Sequence, residues 1–83
     1  MEKFTQEQIA AIGDLGFSIK FLARAITRFT ANANANSAKS LLMWVEELEE
    51  VQDELGIYIY EQEALQTLRI NAREYLNTLL IKE

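Results

Sequence analysis

The sequence predicts an all-α protein: a small three-helix bundle, built as a helical hairpin plus a third helix. Three observations predict it. Apolar residues recur at spacings of three and four in three separate stretches, the period of one helix face. The chain has no Pro, and the stretches are separated by Asn-rich and Gly-containing segments. Strand-like alternation occurs over Ile57-Tyr58-Ile59-Tyr60, and a lone four-residue strand is unstable. The expected organisation is one helical domain over residues 1–83, with helices at about 6–31, 38–55 and 60–82 and a linker over 30–37.

The first helix has a clear start. Thr5-Gln6-Glu7-Gln8 reads as a capping box, in which Thr5 accepts from the Gln8 amide and the Gln8 side chain reaches back to Thr5. Phe4 and Ile9 have the spacing of a hydrophobic staple. Ile12, Leu15, Ile19, Leu22, Ile26 and Phe29 then form one apolar seam. Gly13 and Gly16 interrupt the pattern, each costing up to about 1 kcal/mol relative to Ala. Two readings stay open. One is a continuous helix whose glycines admit a close neighbour. The other is a break, with Ser18 capping a second short helix and four helices in all. The unbroken seam favours continuity.

Thr30-Ala31-Asn32-Ala33-Asn34-Ala35-Asn36-Ser37 reads as the linker, with Asn36 or Ser37 as the next N-cap. Leu41, Trp44, Leu48, Val51 and Leu55 are the seam of the second helix, with Trp44 as a core anchor. Gly56 fits a left-handed cap, and Ile57 after it can close back on Val51 or Gln52. Residues 57–60 read as the hinge and first turn of the third helix. Leu65, Leu68, Ala72, Tyr75 and Leu79 form that helix's seam, widened by Leu76 and Leu80.

Composition narrows function mainly by exclusion. Among 83 residues there is no Cys and no His. Disulfides, thiolate nucleophiles, cysteine-ligated metals, the usual general base and the near-neutral pH switch are therefore missing. Ser18, Ser37 and Ser40 have no His to activate them, and no Gly-rich phosphate loop is present. No catalytic residue, cofactor or metal is expected, and the chain is expected not to be an enzyme. The longest strongly apolar run, Leu41 to Val45, is far short of the ~20 residues of a membrane span. Met1 to Gln6 lacks the order of a signal peptide. A cytoplasmic protein without membrane contact is expected.

Charge is unevenly placed. Residues 1–36 hold four bases and three acids, and residues 37–83 four bases and ten acids. Glu46, Glu47, Glu49, Glu50, Asp53, Glu54, Glu61 and Glu63 follow one another with no base between them. This is either a solvated face or a surface that meets a basic partner. Divalent-cation binding by Asp53, Glu54, Glu61 and Glu63 is a third reading, without the loop such sites use. Arg69 and Arg73 could pair with the Glu46–Glu50 face.

The first helix also has a second apolar side. Phe17 and Phe21 fall opposite the seam, interleaved with Lys20, Arg24 and Arg28. Such a helix is usually covered on both sides. Phe17 and Phe21 could pack on the third helix or on another copy, or the stripe could hold an anionic small molecule or nucleic acid by stacking and charge. Tyr58 and Tyr60 are further candidates for a contact surface.

Residues 5–26, through Glu7-Gln8-Ile9, Gly16, Ser18, Leu22-Ala23 and Ile26, resemble the first two helices of a resolvase/invertase-type helix-turn-helix. That resemblance implies a short turn and a DNA-reading helix next. The longer Ala/Asn linker, Lys39 and the acid run stand there instead. Gln8-Ile9, Leu15-Gly16-Phe17-Ser18 and Ala25-Ile26 also resemble ubiquitin-associated three-helix domains. That likeness implies ubiquitin binding through the Gly-Phe loop, but the third helix is out of register.

Together these features predict a small acidic, homo-oligomeric interaction protein that binds, and inhibits or adapts, a macromolecular partner with a basic surface. Anti-defence factors of mobile elements, phage proteins among them, are of this size and charge. The runner-up is an oligomeric binder of an anionic small molecule or nucleic acid through Phe17, Phe21, Lys20, Arg24 and Arg28.

Overall fold

The computed structural model describes residues 5–81. Three helices follow in order: α1 (Gln6–Ala31), α2 (Ala35–Leu55) and α3 (Gln62–Ile81). They form an all-α three-helix bundle in which α2 is the middle helix. α1 packs on α2 and α2 on α3, while among the described residues α1 and α3 do not pack along their lengths. The Cα trace is elongated, 57 × 19 × 16 Å.

α1 starts as its sequence dictates. Thr5 Oγ1 accepts from Gln8 N at 3.1 Å, and Gln8 Oε1 accepts from Thr5 N at 2.9 Å. Phe4, the other half of the expected staple, lies outside the described residues. α1 then runs unbroken through Gly13 and Gly16. The turn that both family resemblances need is absent, because Ser18 is not a cap. It sits mid-helix, buried against α2. The glycines admit no close neighbour within the chain either, since nothing lies within 4 Å of a Cβ added at either position. Close approach of α1 and α2 rests on other small residues. Ala11, Ser18 and Ala25 alternate with Leu15 and Leu22 on the buried face.

The linker is shorter than the sequence suggested. Asn34, not Asn36 or Ser37, is the N-cap, so α2 begins at Ala35. Asn34 Oδ1 accepts from Ser37 N and Ser37 Oγ accepts from Asn34 N, both at 2.9 Å. This reciprocal box draws Ala35 and Asn36 into the first turn and leaves only Asn32 to Asn34 as the connection.

The buried face of α2 is Ser37, Ala38, Leu41, Val45, Leu48 and Gln52. Trp44 is therefore not the core anchor. It stands one residue off the seam and is half-buried at the rim, with Val45 in the position expected for it. Ile12 is likewise exposed at the edge of α1, whereas Leu15 and Leu22 are buried. The core unites Leu15, Leu22, Leu41, Val45, Leu48 and Leu65 with Ala25, Ala38 and Ala72.

α2 ends at Gly56, whose φ of 68° is the left-handed conformation glycine tolerates best. The Gln52 carbonyl accepts from Gly56 N at 2.8 Å and Ile57 N at 3.2 Å. Residues 57–60 are not the first turn of α3, which begins at Gln62. The buried Gln52 side chain holds them out of the helix. Its Oε1 accepts from Ile59 N at 3.0 Å and Tyr60 N at 2.9 Å, and its Nε2 donates to Tyr60 O at 3.1 Å. The far half of α3 is tied at the opposite end. Tyr75 Oη donates to Ala33 O at 2.8 Å, and its ring meets Phe29 edge-on at 5.4 Å. Lys82, where the third helix was expected to stop, lies outside the described residues.

Candidate functional site

Two surfaces emerge from this packing. The first is aromatic and lies along the α1–α2 groove. Helical geometry puts Phe17 and Phe21 one turn apart on α1, and α2 presents Trp44 to them. Phe17 and Phe21 have ring centroids 4.4 Å apart, and Phe21 stacks on Trp44 at 5.0 Å with an interplanar angle of 20°. Phe17 and Phe21 thus pack on α2 rather than on α3. Covering is incomplete: Phe17 remains 56% exposed and Met43 beside it 49%. One side of this cluster carries Asp14 and Glu47. The other carries Arg24, Arg28 and Ser40. The Arg24 guanidinium sits over the Phe21 ring, 5.4 Å from its centroid. Lys20 is exposed on α1.

The second surface is acidic. α2 turns Glu46, Glu47, Glu50, Asp53 and Glu54 to solvent, and Glu61 and Glu63 continue the exposed acids through the hinge into α3. Glu49 differs, because it is half-buried and pairs with Arg69 of α3. That is the one ion pair among the described residues. Arg73 is exposed and pairs with none of them. No three acids among the described residues come together as a metal site, so the cation reading of Asp53, Glu54, Glu61 and Glu63 has no geometry behind it.

The hinge tyrosines part ways. Tyr58 is exposed, and its Oη donates to Asp53 Oδ1 at 3.1 Å. That hydrogen bond raises the phenol above its ordinary range, and the negative charge of Asp53 adds to the effect. Tyr60 is half-buried against the core and is a packing residue more than a contact surface.

Compared with family models, curated proteins and solved structures, the chain finds no match.

Sequence reasoning missed Met43, Ser40 and Gln52. A signal was available: Ala38, Leu41, Val45, Leu48 and Gln52 step by three and four. That register puts Ser40 and Trp44 at the groove edge and Gln52 in the core. No helix among the described residues is long and apolar enough to cross a membrane.

Proposed function

We propose that this chain is a small interaction protein of the cytoplasm that binds a macromolecular partner through a basic surface on that partner and acts as its inhibitor or adaptor. One observation carries the reading. Of the six acids between Glu46 and Glu54, five are exposed without an ion-pair partner among the described residues, and only Glu49 is taken, by Arg69. Acids repeated on one helix repel each other at a cost to the free chain. A cationic partner removes that repulsion and is steered in by it. The outer acids Glu46, Glu50 and Asp53 are exposed on α2, open to a partner's approach. The incompletely covered Phe17–Trp44 cluster supports self-association of the chain.

The test is quantitative capture from the host with the wild-type chain and with Glu46→Lys/Glu50→Lys. A specific partner should be lost from the variant, and its affinity should fall as salt rises. Undiminished capture by the variant refutes the role of the acidic face.

A second reading is favoured by Arg24 over Phe21, beside Arg28 and Ser40. Stacking plus unpaired cations suits an anionic small molecule or a single-stranded nucleic acid. It predicts that a labelled oligonucleotide binds the wild-type chain and not Arg24→Glu/Arg28→Glu.

A further inference from the structure

The side of the α1–α2 hairpin that bears Phe17 and Trp44 is sorted by charge along its length. Towards the linker stand Arg24 and Arg28. Phe17, Phe21, Met43 and Trp44 occupy the middle. Towards the open end stand Asp14 and, further out, Glu54, with Glu47 about two turns inside Glu54 beside the apolar centre. A surface with a plus end, an apolar centre and a minus end is complementary to itself when turned around.

We propose that two copies of this chain pack these faces together about a two-fold axis. The axis lies in the interface and crosses both helices at the level of the aromatic cluster. The basic end of each copy then covers the acidic end of the other. This rests on the reading of the chain as a self-associating interaction protein, and adds the arrangement.

The spacings fit. The axis falls midway between Phe17 and Phe21. At a rise of about 1.5 Å per residue, Arg24 is about 7 Å from it on one side and Asp14 about 7 Å on the other. Glu54 lines the same groove as Ala11, one helix across. Ala11 is about 12 Å from the axis towards the open end, and Arg28 about 13 Å towards the linker. Arg24 therefore meets Asp14 of the other copy, and Arg28 stands level with its Glu54, one helix across, while Phe17 meets Phe21 across the axis. A parallel arrangement would bring the two basic ends together at one level and the two acidic ends together at the other. An isologous contact of this kind closes as a dimer and leaves no open surface to propagate.

The size is also adequate. A 21-residue helix is about 32 Å long, and two helices side by side span roughly 20 Å, a projected face of about 600 Å². That is of the order of the ~800 Å² of accessible surface per partner in a stable complex. The outer acids Glu46, Glu50 and Asp53 remain free for a different partner.

Sedimentation equilibrium from low to high micromolar concentration tests the arrangement, with helicity followed by circular dichroism. The wild-type chain should be a dimer. Arg24→Glu and Asp14→Arg should each weaken it at least about tenfold, because each sets like charges face to face. The double variant Asp14→Arg/Arg24→Glu should return to within about threefold of wild type, since the swap restores both pairs. Phe17→Ser, at an exposed position, should dissociate the dimer with helicity intact. A wild-type monomer at high micromolar concentration overturns both the self-association and the arrangement. A wild-type dimer that ignores Arg24→Glu, or that the swap fails to restore, overturns the arrangement alone. Loss of partner capture on Glu46→Lys/Glu50→Lys is scored separately, so the two failures stay distinct.

Discussion

Replacing Gln52 by Leu tests the hinge directly. Gln52 is 1% exposed and is the polar residue at the centre of the α2–α3 connection. Its side chain makes three hydrogen bonds, to Ile59 N, Tyr60 N and Tyr60 O. Each is worth about 0.5–1.5 kcal/mol net, so their loss removes roughly 1.5–4.5 kcal/mol. Two effects pull the figure down. Ile59 is exposed, so its amide regains water. Leu fills much of the same space and adds apolar burial. A cost of about 2 kcal/mol is expected. For a chain of this length that lowers Tm by roughly 8–16 °C. In urea the midpoint should fall by about 1–2 M at unchanged slope. The comparison is made at one fixed chain concentration, because self-association adds to apparent stability. Hydrogen exchange should quicken most at Ile59, Tyr60 and the first turn of α3. A cost below about 0.5 kcal/mol would refute the view that this side chain, rather than local propensity, sets where α3 begins.

Other outcomes follow from the same geometry. Gly13→Ala and Gly16→Ala should each stabilise the chain by up to about 1 kcal/mol, since both lie inside α1 with open space at the Cβ position. Destabilisation in thermal melts would mean the glycines serve a contact not formed within the chain. Gly56→Ala should cost about 1–2 kcal/mol in urea unfolding, because φ at 56 is 68°. The Tyr58 phenol, read by ultraviolet absorbance against Tyr58→Phe, should ionise above its ordinary value of 10.0, and Asp53→Asn should bring it back down. The sign is that of a raised group. The bond to Asp53 stabilises the fold while the phenol is protonated, and that contribution is lost as pH rises past the phenol's range in the folded chain. An absorbance curve unchanged by Asp53→Asn would remove Asp53 as the cause.

Helix class, the start of α1 and the left-handed cap at Gly56 were legible because they depend on near neighbours. A capping box spans four residues, and a glycine cap answers to the turn before it. The same local logic erred over residues 30–37. Asn34, Asn36 and Ser37 are all competent caps, and in the folded chain Asn34 caps while Ser37 reciprocates. At the candidate site, the acids from Glu46 to Glu63 and the cations of α1 were visible in the sequence. Their distribution over the surface was not.

The chain alone determined that three amphipathic helices form, because periodicity and capping are local. It also determined which chemistry is missing, because composition is independent of fold. Only tertiary packing decided that Trp44 belongs to a half-covered aromatic cluster and that Gln52 belongs to the core. Neighbouring seam registers differ by a single residue, about 100° of rotation. Which one faces inward depends on how Ala11, Ser18 and Ala25 seat against α2. Packing likewise separated Glu49, drawn to Arg69, from the acids left facing solvent. The sequence of α1 itself puts Asp14 and the arginines at opposite ends, and packing added Glu54 of α2 at the Asp14 end, because two antiparallel helices bring residues distant in sequence to the same level.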